Sequence, residues 1–175
     1  MAAKQKKSVA AANTASAATA AMMADVEQDS RRTLELVFYV HMEMAHLADR
    51  VLSQYDMGRA HHRVLYLTAH NPGITVNEIL SILRITNQAL SRTLNQLMRM
   101  DLIEQRPGKT DRRHRCHYCT PKGLQLDRRL TKLQFEHIET SLRHLPRKQL
   151  ETFWAVLYQM VRDQDKPWIS VYQPE

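Results

Sequence analysis

The sequence predicts a mainly α-helical fold carrying one small β-hairpin, and three observations support this. Apolar residues recur at helical spacing through most of the chain, N-cap signatures stand at Thr75, Thr86 and Thr120, and one pair of short strand patterns flanks Pro107-Gly108. The order short helix, polar helix, strand, basic turn and returning strand predicts a winged helix-turn-helix. Longer helices lie on either side of it.

Taken in order, residues 1–24 begin with basic residues and alanine, and the apolar character of Met1 to Thr19 is repeatedly broken by Ser, Asn and Thr. This stretch reads as a disordered tail, not a signal peptide. From about 30 to 54 a first long helix places Leu34, Val37, Phe38, His41, Ala45, Ala48 and Leu52 on one stripe, with Val51 and Tyr55 beside it. That face is too broad for a lone surface helix. The reading head is expected over about 59–120. Within it, Thr75-Val76-Asn77-Glu78 is a Thr-x-x-Glu capping box that starts a helix at Val76, whose Val76, Ile79, Leu80 and Leu83 form a buried stripe. Arg84-Ile85-Thr86 breaks the register as a turn, and Thr86 offers the next N-cap.

The helix that follows, Asn87 to about Met100, puts Leu90, Leu94 and Leu97 on one face and Asn87, Gln88, Ser91, Arg92 and Asn95 on the other. Asn and Gln match the adenine edge and Arg the guanine edge in the major groove, so with Thr86 these residues are candidate DNA contacts. A solvated face of an ordinary surface helix has the same composition, and it is the next segment that separates the two readings. Leu102 to Arg106 reads as a strand, Pro107 to Thr110 as a turn and His114 to Thr120 as a returning strand. The hairpin tip carries Lys109, Arg112 and Arg113, a basic wing able to follow phosphates or enter a minor groove. After Thr120 as N-cap and Pro121 at the first helical position, Leu124, Leu130, Leu133, Ile138 and Leu142 mark another long helix. Pro146 opens a last one through Leu150, Phe153, Trp154, Leu157 and Val161, and residues 166–175 form an apolar C-terminal tail.

Length and charge agree with this reading. The 175 residues suit one domain of ordinary size, over about 25–165, and the net charge of +7 favours an anionic partner. Four glycines are few for phosphate-cradling loops, and no apolar run is long enough to span a bilayer. A cytoplasmic protein without membrane contact is expected. Cys116 and Cys119 lie near His114 and His117, but the two thiols point to opposite faces of a strand and cannot close one tetrahedral metal site. No metal or cofactor is expected, and Cys119 reads as a small buried apolar residue.

On Leu102-Ile103-Glu104-x-Arg106, Asp111-Arg112-Arg113 and Thr120-Pro121-x-Gly123, the chain resembles the MarR family of bacterial transcriptional regulators, over about Leu34 to Val161. The resemblance implies that Asp111 braces the wing by an ion pair while Arg112 or Arg113 contacts DNA. It also implies a homodimer joined through the helices at about 30–54 and 121–163, with each recognition helix in one half of a pseudo-palindromic double-stranded operator. One departure is Asp101, where the family usually closes the recognition helix with glycine.

The family holds effectors in a cleft between its dimer helices and reading head, and the resemblance brings His41 and His62 to its border. Tyr39, Met42, Met44 and Tyr66 supply aromatic and thioether walls, so these six are the candidate effector residues. For each histidine the alternative is a plain hydrogen bond to a backbone carbonyl. The chain looks like the branch of this family that responds to aryl-coenzyme A thioesters of the p-coumaroyl type, although free aromatic acids suit the same cleft. The expected function is a sequence-specific repressor released by such an effector. Two alternatives are a sequence-independent architectural DNA protein and an acyl-CoA enzyme; no nucleophile elbow or paired carboxylate motif favours catalysis.

Overall fold

The computed structural model describes residues 2–108 and 115–169, with side chains described from residue 22 onward. The chain divides into two units, Met1–Met44 and Ala45–Glu175. The first is formed by helix α1, Ala2–Leu52, whose last turns from Ala45 belong to the second. The helix includes the stretch 1–24 expected as a disordered tail, from Ala2 onward. Alanine has the highest helix propensity of any residue, and the scattered Ser, Asn and Thr do not offset it. Along residues 22–44, Arg31 pairs with Glu27 at 2.8 Å and Arg32 with Asp29 at 3.2 Å. On this unit Leu34, Val37 and Phe38 of the expected stripe are exposed.

In the second unit α1 ends in a 3-10 turn, Ser53–Tyr55, and Asp56 takes a left-handed φ of 52° before α2, Arg59–His70. A short strand β1, Ile74–Thr75, leads into α3, Val76–Leu83, and then α4, Asn87–Arg99. The hairpin strands are β2, Ile103–Pro107, and β3, Arg115–Cys119; after them come α5, Pro121–Leu142, α6, Arg147–Met160, and a 3-10 segment Asp163–Trp168. β3 lies between β1 and β2, antiparallel to both, with Ile74 opposite His117 and Gln105 opposite the same residue. The sequence reading foresaw β2 and β3 but not β1.

The core collects Ala48, Val51 and Leu52 of α1, Val64, Leu65 and Leu67 of α2, Ile79, the α4 leucines 90, 94 and 97, and Leu126 and Leu130 of α5. These are the apolar positions at helical spacing, and their burial is the main favourable term in folding this unit. The C-terminal segment is tied back to the same core, since Trp168 packs against it and Arg162 donates to the Ser81 carbonyl at 3.3 Å. No helix among the described residues is long and apolar enough to cross a membrane.

Candidate nucleic-acid interface

The helix-turn-helix is built by caps. Thr75 Oγ1 accepts the Glu78 N–H at 3.4 Å, and the Glu78 carboxylate accepts both the Thr75 N–H and hydroxyl at 2.7 Å. This reciprocal pair starts α3 where the sequence places it. Arg84 closes α3 in the left-handed region at φ 52°, its N–H reaching the Leu80 carbonyl at 2.9 Å. Thr86 Oγ1 then accepts the Ala89 N–H at 3.2 Å and opens α4. Asp101 sits at φ 58°, the backbone that the family's glycine would adopt. Lys122 donates to the Met100 carbonyl at 2.8 Å, placing a cation on the negative end of α4.

With Leu90, Thr93, Leu94 and Leu97 buried, α4 exposes Asn87, Gln88, Ser91, Arg92 and Asn95 together, and Thr86 is exposed at its start. The Ser91 hydroxyl donates to Asn87 Oδ1 at 3.2 Å. Gln96, half-buried at the edge of this face, bonds with His61 Nε2 at 2.9 Å and donates to the Asp56 carbonyl at 3.2 Å. The wing-tip residues Lys109, Asp111, Arg112 and Arg113 lie outside the described residues. On the wing stem, exposed Arg106 lies 4.8 Å over the Tyr118 ring and pairs with Glu104, and Arg115 is exposed at the start of β3. Arg106 and Arg115 are basic groups that the sequence reading did not single out as contacts.

His117 is the polar centre of the wing. It is fully buried, with Nδ1 donating to the Ile74 carbonyl at 3.2 Å and Nε2 left to accept from the Gln105 amide at 3.3 Å. Burial pulls its pKa below the usual histidine range against the smaller opposing effect of the Ile74 bond. The Cys119 thiol, pushed up to about 12 by burial, points at the Leu65 carbonyl at 3.7 Å. It is half-buried, as is Cys116, and both are unbridged. Among the described residues no cluster of His, Cys, Asp or Glu has the arrangement of a metal site.

The candidate effector residues fall in both units. On α1, Tyr39 and His41 are exposed and Met42 and Met44 half-buried; Tyr39 meets Phe38 edge-on at 5.4 Å. On α2, Tyr66 is partly exposed and stacks on His70 at 4.1 Å between centroids. Among the described residues, Nε2 of the half-buried His62 is buried with no hydrogen-bond partner, backbone carbonyl included. Burial lowers its pKa, with Arg63 acting in the same direction and Asp49 opposing. A second atom with no partner among the described residues is Oδ1 of buried Asp127 on α5, a residue the sequence reading missed. Burial raises the Asp127 pKa, His70 and Arg128 working against it, and Asp127 in turn adds to the upward shift that burial gives Tyr66.

Comparison with known proteins agrees with this geometry. The sequence model of the MarR family matches residues 55–114. The HTH-type transcriptional regulator PetP of Rhodobacter capsulatus is 32% identical over 148 residues, covering 78% of this chain and 89% of PetP. S. aureus MepR in its DNA-binding conformation is 30% identical with a TM-score of 0.61, covering 71% of this chain and 93% of MepR. A MepR-DNA complex from S. aureus is 27% identical with a TM-score of 0.53 over 71% and 93% of the two chains. These relatives are transcription regulators and not enzymes. With a capped helix-turn-helix, a hairpin wing and such a relative in agreement, the chain belongs to the MarR family of DNA-binding transcriptional regulators.

Proposed function

We propose that the protein is a homodimeric, cytoplasmic repressor that binds a pseudo-palindromic double-stranded operator and leaves it when a small aromatic effector binds. The observation that carries this reading is α4, which exposes Thr86, Asn87, Gln88, Ser91, Arg92 and Asn95 while burying its opposite face. Side chains of these types read base edges in a major groove. Lys109, Arg112 and Arg113, braced by Asp111, complete the proposed contact along phosphates or in the minor groove. The similarity to MepR, solved in a DNA-binding conformation and with DNA, supports the same mode of docking.

Dimerisation is supported by the apolar residues that each unit exposes. Leu34, Val37 and Phe38 do so on α1, Phe135 and Ile138 on α5, and Phe153, Val156 and Leu157 on α6. A two-fold pair of recognition helices requires half-sites about 34–36 Å apart, one turn of the duplex.

The proposed effector is an aromatic acid or its coenzyme A thioester. His62 and Asp127 support a polar ligand near Tyr66, because each holds a buried atom that a ligand oxygen can satisfy. Burial keeps Asp127 toward its neutral acid form, in which it can donate to a carbonyl. Tyr39, His41, Met42 and Met44 stay in the proposed effector set by the resemblance alone.

The test is selection of a binding duplex from a random-sequence pool, followed by titration of the complex. Arg92→Ala should cost about 1–3 kcal/mol on the selected duplex and little on a scrambled one. Equal affinity of the native protein for both duplexes would make it a sequence-independent architectural protein. Release by the free acid and not by the thioester would remove the thioester version.

A further inference from the structure

We infer that His61 and Gln96 form a positioning clamp that fixes the rotation of the DNA-reading helix against the start of α2. His61 is the third residue of α2, and its Nδ1 accepts the Gly58 N–H at 3.1 Å. That bond sets the tautomer, leaving the ring proton on Nε2 to be donated to Gln96 Oε1 at 2.9 Å. Gln96 then donates from its amide nitrogen to the Asp56 carbonyl at 3.2 Å. Three hydrogen bonds therefore link the N-cap of α2, the side of α4 and the left-handed turn at Asp56 into one circuit.

Apart from the Lys122 bond at its C-terminal end, the packing of α4 is of a different kind. Leu90, Leu94 and Leu97 hold it to the core by apolar burial, which is non-directional and fixes its rotation less finely than a hydrogen bond does. The clamp is directional, and it sits next to Asn95 on the border of the exposed face. A rotation of about 15° moves an atom at the helix's outer radius of about 5–6 Å by about 1.5 Å. Such a shift spoils the alignment of a bidentate base contact. Contacts to the uniform phosphate backbone carry no base identity to lose. The clamp therefore governs sequence discrimination rather than overall affinity, and His61 and Gln96 are positioning residues that touch no base themselves.

The inference rests on α4 being the DNA-reading helix. Gln96→Met tests it, because Met is unbranched and a comparably good helix former, and His61 still caps α2. Binding is measured by fluorescence anisotropy on the duplex selected by the native protein and on a scrambled duplex of equal length, with thermal unfolding alongside. The selected-to-scrambled affinity ratio is expected to fall about 5- to 10-fold, as loss of one or two directional bonds implies. Gln96→Glu still accepts from His61 and should recover part of the ratio; its added charge weakens both duplexes alike and cancels from it. An unchanged ratio in Gln96→Met, whether or not the unfolding midpoint drops, would make Gln96 a structural residue only and overturn the clamp. If the native protein itself fails to distinguish the duplexes, the recognition-helix reading falls with it, and that is decided before any variant is measured.

Discussion

Replacing Gly123 by alanine tests how the reading head is joined to the helix behind it. Gly123 is buried in the first turn of α5, and a β-carbon there would lie 2.0 Å from the backbone oxygen of Leu102 and 2.9 Å from its carbonyl carbon. Ordinary contact begins at 3.4 Å, so α5 and Leu102 must separate by about 1.4 Å, the difference between 3.4 and 2.0. The obstacle is backbone, which cannot swing aside as a side chain can. Separation pulls on the Thr120 N–H bond to the Leu102 carbonyl at 3.1 Å and the Thr120 hydroxyl bond to the Asp101 carbonyl at 2.7 Å. Losing both costs about 2 kcal/mol. Residual overpacking adds about 1–3 kcal/mol, so the variant should lose roughly 4 kcal/mol of the about 5–15 kcal/mol that stabilises a domain. Urea unfolding should show a lower midpoint with an unchanged slope. Operator binding should fall too, since Leu102 follows the end of α4. A Gly123→Ala protein within about 1 kcal/mol of the parent, the size of an average substitution, would refute the claim that close approach to Leu102 demands glycine.

Three further outcomes are expected. Thr75→Ala removes the oxygen that caps α3 and should cost about 1 kcal/mol in urea unfolding; no loss would mean the cap is idle. Arg84→Gly relieves a left-handed backbone worth about 1–2 kcal/mol and adds unfolded-chain entropy worth about 0.5–1 kcal/mol. A net gain of about 0.5–1 kcal/mol should appear in the same assay, and a loss would assign the Arg84 side chain a stabilising contact. Because burial lowers the His117 pKa, the unfolded chain binds more protons as pH falls below about 6.5, so stability is full above that value and declines toward the lower native pKa. His62 acts in the same direction. His117→Gln, which cannot titrate, should flatten part of the acid decline measured by unfolding midpoints against pH, and an unaltered acid limb would discard His117 as its source.

What the sequence made legible was local. Thr75, Thr86 and Thr120 each cap a helix within three residues of themselves, so their signals need no tertiary information, and all three helices begin there. The exposed face of α4 was readable for the same reason, its leucines being spaced by the helix itself. Strand β1 was not, since two residues carry no period and only pairing with β3 makes Ile74–Thr75 a strand. His117 drew notice only as a neighbour of two cysteines, because its partners Ile74 and Gln105 are distant in sequence. Asp127 sits between the α5 core leucines 126 and 130 as an ordinary polar residue would, and only the packing of the helices removes it from water. The helix continues through residues 2–24, against the disordered tail that the interrupting polar residues suggest, because alanine's helix propensity outweighs them.

The wing is no appendage, because its inner strand is stitched to the two residues that run straight into α3. A slip of one residue between β3 and its neighbours would turn His117 outward and unhook both edges at once. Insertions and deletions are therefore ruinous at the hairpin's root, where they would derail the helix that follows.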